Sequence, residues 1–312
     1  MIATVTLNPS LDEWVRLPSL RVGALNRAEA LGRYPGGKGI NVSRVVHELG
    51  GATIAYGLAG GHDGLILREL MNRLKILHEF VTVPGQTRNN YKIRTDRPHA
   101  LTELNTAGPA VSATALRALE RRMTRRRPRP QVLVCSGSVP PGVPAAIYQR
   151  WIRAFGRLGM RVVLDASGEA MRLGVRARPW LIKPNRHEAE EVLGRRIRTR
   201  LHAVHAAQQL VARGASLVVL SLGAEGAMLA SRDQERVWMA QLPKVKSDSA
   251  VGAGDSVVAG FLVGWQGGRS LLEAFRLGVA SGTATAMTPG TELCHRRDVQ
   301  RLVRRVVIRR VD

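Results

Sequence analysis

Cysteine is nearly absent from this chain: Cys135 and Cys294 stand alone and far apart among 312 residues. That excludes a disulfide framework and a cysteine-based zinc site, and it fits a reducing cytoplasm. Aromatic residues make up 4% of the chain, and none interrupts the densest basic run, Arg121-Arg-Met-Thr-Arg-Arg-Arg-Pro-Arg-Pro130. Such a run offers no platform for stacked bases. No apolar stretch approaches the roughly 20 residues needed to cross a bilayer. Met1-Ile-Ala-Thr-Val-Thr-Leu7 has the composition of a first strand rather than of a signal peptide. Negative charge is also short, with 24 acidic side chains against 47 basic ones and a net charge of +23. A surplus of that size attracts phosphates, nucleic acid and anionic surfaces. Lysine, however, occurs only at 38, 75, 92, 183, 244 and 246, so nearly all of the surplus is arginine. Arginine-rich codon usage scatters such charge over the whole surface, and this reading outweighs a dedicated nucleic-acid face. Neither a specific nucleic acid nor a membrane is expected as a partner.

What is present is a substantial core. Hydrophobic residues form 45% of the chain, enough for one large α/β domain over 1–312 with a small appendage. Gln131-Val-Leu-Val-Cys135, Arg161-Val-Val-Leu-Asp165 and Leu217-Val-Val-Leu-Ser-Leu222 are short apolar runs, expected as strands covered on both faces. Helical patterns lie between them, at 112–123, 145–158 and 202–213. Alternation of this kind predicts a doubly wound, mostly parallel sheet with helices on both sides. Ile2–Leu7, Trp14–Leu17 and Asn26–Tyr34 look too short and too alternating for central parallel strands. They are expected in a small antiparallel sheet, completed by Thr87–Thr95 and Ala100–Asn105, so that segments of about 11–34 and 87–105 form a lid. Arg296–Val311 is expected as a helix with Val299, Leu302 and Val306 on its inner stripe.

Two glycine clusters open helices. Val251-Gly-Ala-Gly-Asp-Ser256 precedes the apolar run Val257–Val263, and Pro35-Gly-Gly-Lys-Gly-Ile-Asn41 precedes a stripe of Val42, Val45, Val46 and Leu49. The first N–H groups of a helix have no internal partner and carry partial positive charge. Glycine lets a large anion approach them, so each loop is suited to phosphate. Neither is a Walker A loop, because no Gly-Lys-Ser/Thr follows. An isolated Gly-x-Gly before a helix usually marks nothing more than a tight turn; two in one chain weaken that explanation. Asp255 at the rim of the first loop would be repelled by bound phosphate unless it takes a proton or serves a metal, which makes it a candidate general base. His47, His62, His187 and Cys135 show no pattern beyond structural use.

Eight motifs in order give the chain its resemblance to the ribokinase-like sugar kinases of the phosphofructokinase-B (PfkB) branch. They are Thr6-Leu-Asn-Pro-Ser-Leu-Asp12, Pro35-Gly-Gly-Lys-Gly-Ile-Asn41, Thr87-Arg-Asn-Asn90, Ser136-Gly-Ser-Val-Pro-Pro-Gly142, Asp165-Ala-Ser-Gly-Glu169, Lys183-Pro-Asn-Arg-His-Glu188, Ser221-Leu-Gly-Ala-Glu-Gly226 and Val251-Gly-Ala-Gly-Asp255. The resemblance implies a ribokinase-like α/β domain with a β-sheet lid, and transfer of the ATP γ-phosphoryl group to a sugar hydroxyl with Mg²⁺. It implies Asp255 as the base and the amides of Gly252, Ala253 and Gly254 as an anion hole. Asp12, Gly37, Lys38, Asn41, Arg88, Asn90, Glu103 and Ser138 match sugar-site positions. Lys183, Asn185, Ser221, Gly223, Gly226 and Ser247 match the nucleotide side, and Asn185 with Glu188 matches an Asn-x-x-Glu element that organises Mg²⁺ through water. Ala250 departs from the pattern, since many relatives carry Thr there; the hydroxyl is missing or comes from Ser249.

Lys38 in the Pro35–Asn41 glycine cluster is similar to that of 1-phosphofructokinases and tagatose-6-phosphate kinases. Val245-Lys-Ser247 and Thr291-Glu-Leu-Cys294 are similar to the 6-phosphofructokinase group instead. The expected substrate is therefore fructose 1-phosphate, with fructose 6-phosphate and tagatose 6-phosphate as alternatives. A homodimer paired through the lid is the expected assembly. A non-catalytic sugar-phosphate sensor or basic nucleic-acid binder would be expected to show a broken catalytic motif, and Asp255 and both glycine loops are intact.

Overall fold

Apolar runs with buried neighbours on both sides build the central sheet in a computed structural model, which describes residues 1–242, 245 and 249–311. The first half of the chain supplies β1 (Ile2–Thr6), β2 (Ser10–Leu17), β3 (Glu29–Gly36), α1 (Lys38–Glu48), β4 (Thr53–Ala59), α2 (Gly61–Arg73), β5 (His78–Thr82), β6 (Arg88–Thr95), β7 (Ala100–Asn105), α3 (Ala113–Arg125), β8 (Val132–Ser136) and α4 (Ile147–Arg157). The second half supplies β9 (Arg161–Asp165), α5 (Gly168–Val175), β10 (Leu181–Ile182), α6 (Arg186–Leu193), α7 (Arg200–Ala212), β11 (Leu217–Ser221), β12 (Ala227–Ser231), β13 (Gln234–Gln241), α8 (Ala253–Gln266), α9 (Leu271–Met287), α10 (Arg296–Val303) and β14 (Val307–Arg310). The large sheet runs β14-β13-β12-β11-β10-β9-β8-β1-β4-β5. From β11 to β5 all neighbours are parallel, while β12, β13 and β14 extend the other edge antiparallel.

One face packs on a core that includes Leu119, Trp151, Phe155 and Leu210 from α3, α4 and α7. The other packs on Val45, Phe261, Phe275 and Leu302 from α1, α8, α9 and α10. Burying apolar area on this scale, at about 25 cal/mol per Å² of area removed from water, is what offsets the entropy of ordering the chain. β2, β3, β6 and β7 form a separate four-stranded sheet, ordered β3-β2-β6-β7, from the two segments expected as a lid. Its β2–β6 pairing is parallel, so the small sheet is mixed rather than wholly antiparallel.

Two expectations are corrected. Ile2–Thr6 is not part of the small sheet but an interior strand of the large one, buried along its whole length between β4 and β8. Thr4 and Thr6 gave the segment its alternating look, yet both are buried, and Thr4 Oγ1 meets Ser43 Oγ at 2.8 Å. The C-terminal helix stops at Val303, and Val307–Arg310 pairs with β13 as an edge strand. The β-branched triplet Val306-Val-Ile308 suits a strand better than a helix, and the helical spacing of Val299, Leu302 and Val306 concealed it. Gln241 is the last residue of β13, and residues 243, 244 and 246–248 lie outside the described set.

The chain moves outward from β1 to β4 and β5, then returns to β8 on the other side of β1 and continues to β11. The order therefore reverses between β1 and β8. Ligands of open α/β sheets bind at the carboxyl ends of the strands beside such a reversal.

Candidate active site

The carboxyl ends of β1 and β8 meet there through side chains, with Asn8 Nδ2 donating to Ser138 Oγ at 3.1 Å. The small sheet joins from above. Arg88 on β6 donates from Nε to the Asn8 carbonyl at 3.2 Å and from Nη1 to Asn90 Oδ1 at 3.1 Å. Asn90 Nδ2 in turn donates to Ser10 Oγ and Asp12 Oδ1 at 3.0 and 3.1 Å. The parallel register of β2 and β6 sets Asp12 beside Asn90, so period-2 alternation puts both on one face. A Cβ on Gly36 would stand 2.4 Å from Asp12 Oδ1, which is why glycine is needed where β3 turns toward α1.

α1 carries this polar cluster to a second one. Lys38 Nζ, on its first residue, donates to Asp165 Oδ1 at 2.8 Å and to Glu188 Oε1 at 3.3 Å. Lys183 Nζ lies 3.4 Å from the other Asp165 oxygen. One turn along α1, Asn41 Nδ2 donates to Asp255 Oδ2 at 2.9 Å. Asp165, Lys183, Glu188 and Asp255 are all buried. Burial and the neighbouring charge of Asp165 push the Asp255 carboxyl up to about 7, although Lys38, Asn41 and Lys183 pull the other way. Asp165 moves down instead: burial opposes ionisation, but Lys183 and Lys38 outweigh it. Two buried carboxyls with opposite shifts divide the work, one fixed as an anion and one able to exchange a proton near neutrality.

Asp255 is in the first turn of α8, whose N-cap Gly252 is left-handed at φ 75° and offers no side chain as a cap. The amides of the first turn are thus left for a ligand, with one exception. Ala253 N–H donates to the Ala250 carbonyl at 3.2 Å, closing a turn before the helix begins. Of the three expected anion-hole amides, those of Gly252 and Gly254 have no partner among the described residues. Lys183 Nζ comes within 3.0 Å of the place a Cβ on Gly254 would take, so it overhangs this helix start.

The remaining expected positions fall on both sides of the centre. Asn185 caps α6 in a reciprocal box with Glu188: Asn185 Oδ1 accepts from the Glu188 amide at 2.8 Å, and Glu188 Oε2 accepts from the Asn185 amide at 2.9 Å. Asn185 also bridges to Ser221 at the end of β11, and Gly223 and Gly226 frame the turn after it with φ of 63° and 111°. Gly37 enters α1 at φ 113°. Glu103 does not join the cluster around Asp12. It lies two register pairs farther out, where it ion-pairs with the buried Lys92. Ser249 Oγ accepts from the Val251 amide at 3.2 Å, so its hydroxyl is engaged within the loop. Ser247 lies outside the described residues.

Asn8, Ser10 and Asp165 were missed as site residues. A signal existed for each, since Asn8 and Ser10 flank the turn after the first strand and Asp165 ends an apolar strand at its carboxyl side. Among the described residues no group of three or more His, Cys, Asp or Glu stands together as a metal cage.

The model of the pfkB family carbohydrate kinases matches residues 5–297. The 1-phosphofructokinase of Bacillus subtilis is 40% identical over 311 residues, covering 100% of both chains. The ATP-dependent 6-phosphofructokinase isozyme 2 of Mycobacterium tuberculosis is 34% identical over 301 residues, covering 96% of this chain and 88% of that one. The crystal structure of phosphofructokinase-2 from Escherichia coli in complex with substrates and products superposes with a TM-score of 0.92 at 33% identity, covering 97% and 98% of the two chains. The ribokinase-like sheet, the paired glycine loops and a match from end to end leave one assignment: the chain belongs to the pfkB family of carbohydrate kinases.

Proposed function

We propose that this kinase transfers the γ-phosphoryl group of ATP to the free primary hydroxyl of fructose 1-phosphate, giving fructose 1,6-bisphosphate and ADP. The observation that carries the proposal is Asp255: a buried carboxyl at an uncapped helix start, raised toward neutrality and held by Asn41 beside the cluster of Asp12, Asn90, Arg88 and Ser138. In the reaction Asp255 takes the hydroxyl proton, the sugar oxygen forms a bond to the γ-phosphorus, and the bond to the ADP oxygen breaks. The amides of Gly252, Ala253 and Gly254 receive the charge of the transferring group, that of Ala253 once its turn to Ala250 opens. Lys38 and Lys183 add positive charge from opposite sides. Phosphoryl transfer asks for this kind of positioning and neutralisation more than for covalent help.

Arg88 is assigned to the phosphate already on the sugar, because a guanidinium meets phosphate at two points. Asp12, Gly37, Asn41, Asn90 and Ser138 hold sugar hydroxyls, and Glu103 acts at most from the rim through Lys92. Ser221, Gly223, Gly226 and Asn185 form the nucleotide side. Both oxygens of Glu188 already accept hydrogen bonds, and no three-ligand cage is present among the described residues. These donors fit Mg²⁺ held through its own waters, as that ion prefers, with Asn185 and Glu188 as the holders. When bound with ATP, Mg²⁺ supplies neutralisation of phosphate charge.

The 40% identity to a 1-phosphofructokinase supports fructose 1-phosphate. Fructose 6-phosphate is the second reading, favoured by the likeness to the 6-phosphofructokinase isozyme and to phosphofructokinase-2. Coupled ADP-release assays with fructose 1-phosphate, fructose 6-phosphate and tagatose 6-phosphate separate them. The highest kcat/KM is expected for fructose 1-phosphate; a clear preference for either of the others rejects it.

A further inference from the structure

Arg44 lies one turn beyond Asn41 on α1 and has no part in the chemistry above. Its guanidinium donates to three oxygens: Nη1 to the Pro35 carbonyl at 3.3 Å and to Asn41 Oδ1 at 3.4 Å, and Nη2 to the Thr291 carbonyl at 3.1 Å. Among the described residues no carboxylate forms an ion pair with it. Burial lowers its pKa to about 10, and the more distant charges of Asp12 on β2, Tyr34 on β3 and Glu292 after α9 oppose that fall. It therefore stays cationic at neutral pH. A buried guanidinium without an ion pair is costly, and replacing it by an apolar side chain would remove that cost.

The contact to Asn41 gives the cation a use. An asparagine amide has a donor end and an acceptor end that exchange by a half-turn. Facing an ionised carboxylate it must present NH₂; facing a protonated one it does equally well with its oxygen. Asn41 stands between Arg44 and Asp255, with Oδ1 toward Arg44 and Nδ2 donating to Asp255 Oδ2. Arg44 has only donors, so it accepts the oxygen end alone, and the amide then has only NH₂ to offer Asp255. The 3.4 Å bond is long, but its charge fixes the orientation.

We propose that Arg44 is a positioning residue for phosphoryl transfer: by holding Asn41 Oδ1 it keeps Asn41 Nδ2 on Asp255 and so keeps that carboxylate in its proton-accepting form. Through Pro35 and Thr291 the same guanidinium ties the end of β3 and the loop after α9 to this amide. The inference rests on the assignment of Asp255 as the base. The other charged groups around Asp255 are Asp165 on β9, Lys38 on α1 and Lys183 after β10, and Arg44 touches none of them.

The test is kcat against pH with saturating fructose 1-phosphate and Mg-ATP, for wild type, Arg44→Met, Arg44→Lys, Asn41→Leu and the double variant Asn41→Leu/Arg44→Met. Without Arg44 the amide is free to turn its oxygen to Asp255 and favour the protonated form. The loss in kcat for Arg44→Met should then be about tenfold larger at pH 6 than at pH 8.5, as a tenfold change in the proton affinity of the base requires. Arg44→Lys, which keeps the cation and the fold but loses the fork, should show a smaller loss of the same pH dependence. In the Asn41→Leu background, Arg44→Met should add no further pH-dependent loss. Uniform losses at every pH, or equal added losses in both backgrounds, would make Arg44 a packing residue and overturn the proposal. The carboxyl titration of Asp255, followed by carbon-13 NMR in the free protein, needs no substrate. A midpoint that rises in Arg44→Met supports the positioning role even if fructose 1-phosphate proves a poor substrate. An unmoved midpoint rejects it even if the kinase assignment stands.

Discussion

At the scale of single residues the molecule turns on Asp255. Asp255→Asn keeps the shape and removes the basicity. General-base catalysis is worth about 10²–10⁴ in rate, so kcat should fall by that order while both substrates still bind. A near-normal kcat would reject Asp255 as the base. In the wild type, kcat should rise with pH through a limb near 7 rather than near the ordinary aspartate value of 3.8. Stability carries the same signature. A carboxyl whose folded pKa is raised favours the folded state while protonated, and that contribution declines from the unfolded value upward until the folded value is passed. The Tm of Asp255→Asn should therefore gain on wild type between about pH 4 and pH 7 and hold a constant lead above it; a lead that does not change with pH would show that Asp255 is not strained by burial. Arg88→Ala belongs to the same scale. It should raise KM for the phosphosugar far more than KM for ATP, and equal effects on the two would place Arg88 outside the sugar side. Much of this site was legible beforehand, because Lys38, Asn41 and Asp255 sit in glycine loops that open helices and Asp12, Arg88 and Asn90 sit in motifs that resemble those of the PfkB kinases. The pairing of Asp165 with Lys38 and Lys183, and the contact of Arg44 with Asn41, were not legible. A buried ion pair and a second-row amide contact depend on which distant elements meet, and no local spacing reports that.

At the scale of elements, function is concentrated where secondary structure begins. α1, α6 and α8 all point their first turns at the same crevice, and each solves its terminus differently. α6 closes its own end with the Asn185–Glu188 box, whereas α8 has no side-chain cap and α1 begins with Lys38 Nζ already turned to Asp165 and Glu188. This contrast makes Glu188 separable from its structural duty. Glutamine at the third helical position keeps an acceptor for the cap amide but gives up the acceptor for Lys38, so Glu188→Gln should keep the fold at a modest loss in Tm. It should still raise the Mg²⁺ concentration needed for half-maximal activity, since the negative charge that orders metal-bound water is lost. An unchanged Mg²⁺ titration would remove Glu188 from metal handling. The elements also show where pattern reading succeeds and fails. Runs such as Val132–Ser136 and Leu217–Ser221 were legible because burial on both faces demands continuous apolar sequence. β1 and β14 were misread because two buried threonines imitate alternation in one and a helical stripe overlaps a β-branched triplet in the other.

At the scale of the whole molecule, two surface properties remain to be explained. The net charge of +23 draws anions without selecting among them, so duplex DNA should bind weakly and lose affinity steeply with salt. The small sheet has a more specific property. Its strands alternate, so the face opposite Asp12 and Asn90 is set by the residues between them, and across β6 and β7 the register pairs Tyr91 with Leu104. These two are 42% and 53% exposed, on a surface where a polar residue would be expected to face water. Val22 and Leu25, on the loop between β2 and β3, add further exposed apolar side chains. A pair of exposed apolar side chains on one sheet face marks a candidate contact, and a face that meets its own copy across a two-fold axis closes without leaving a free end. The homodimer expected through the lid is therefore proposed to form on this face, with the sugar-facing side left to the substrate. Light scattering after size exclusion at micromolar concentration should give twice the chain mass. Leu104→Glu and Tyr91→Glu should shift it toward the monomer, because each places a charge opposite its own symmetry mate. A wild type that is monomeric at that concentration, or charge variants that keep the dimer mass, would assign these side chains to the lid alone and leave the pairing of chains to another surface.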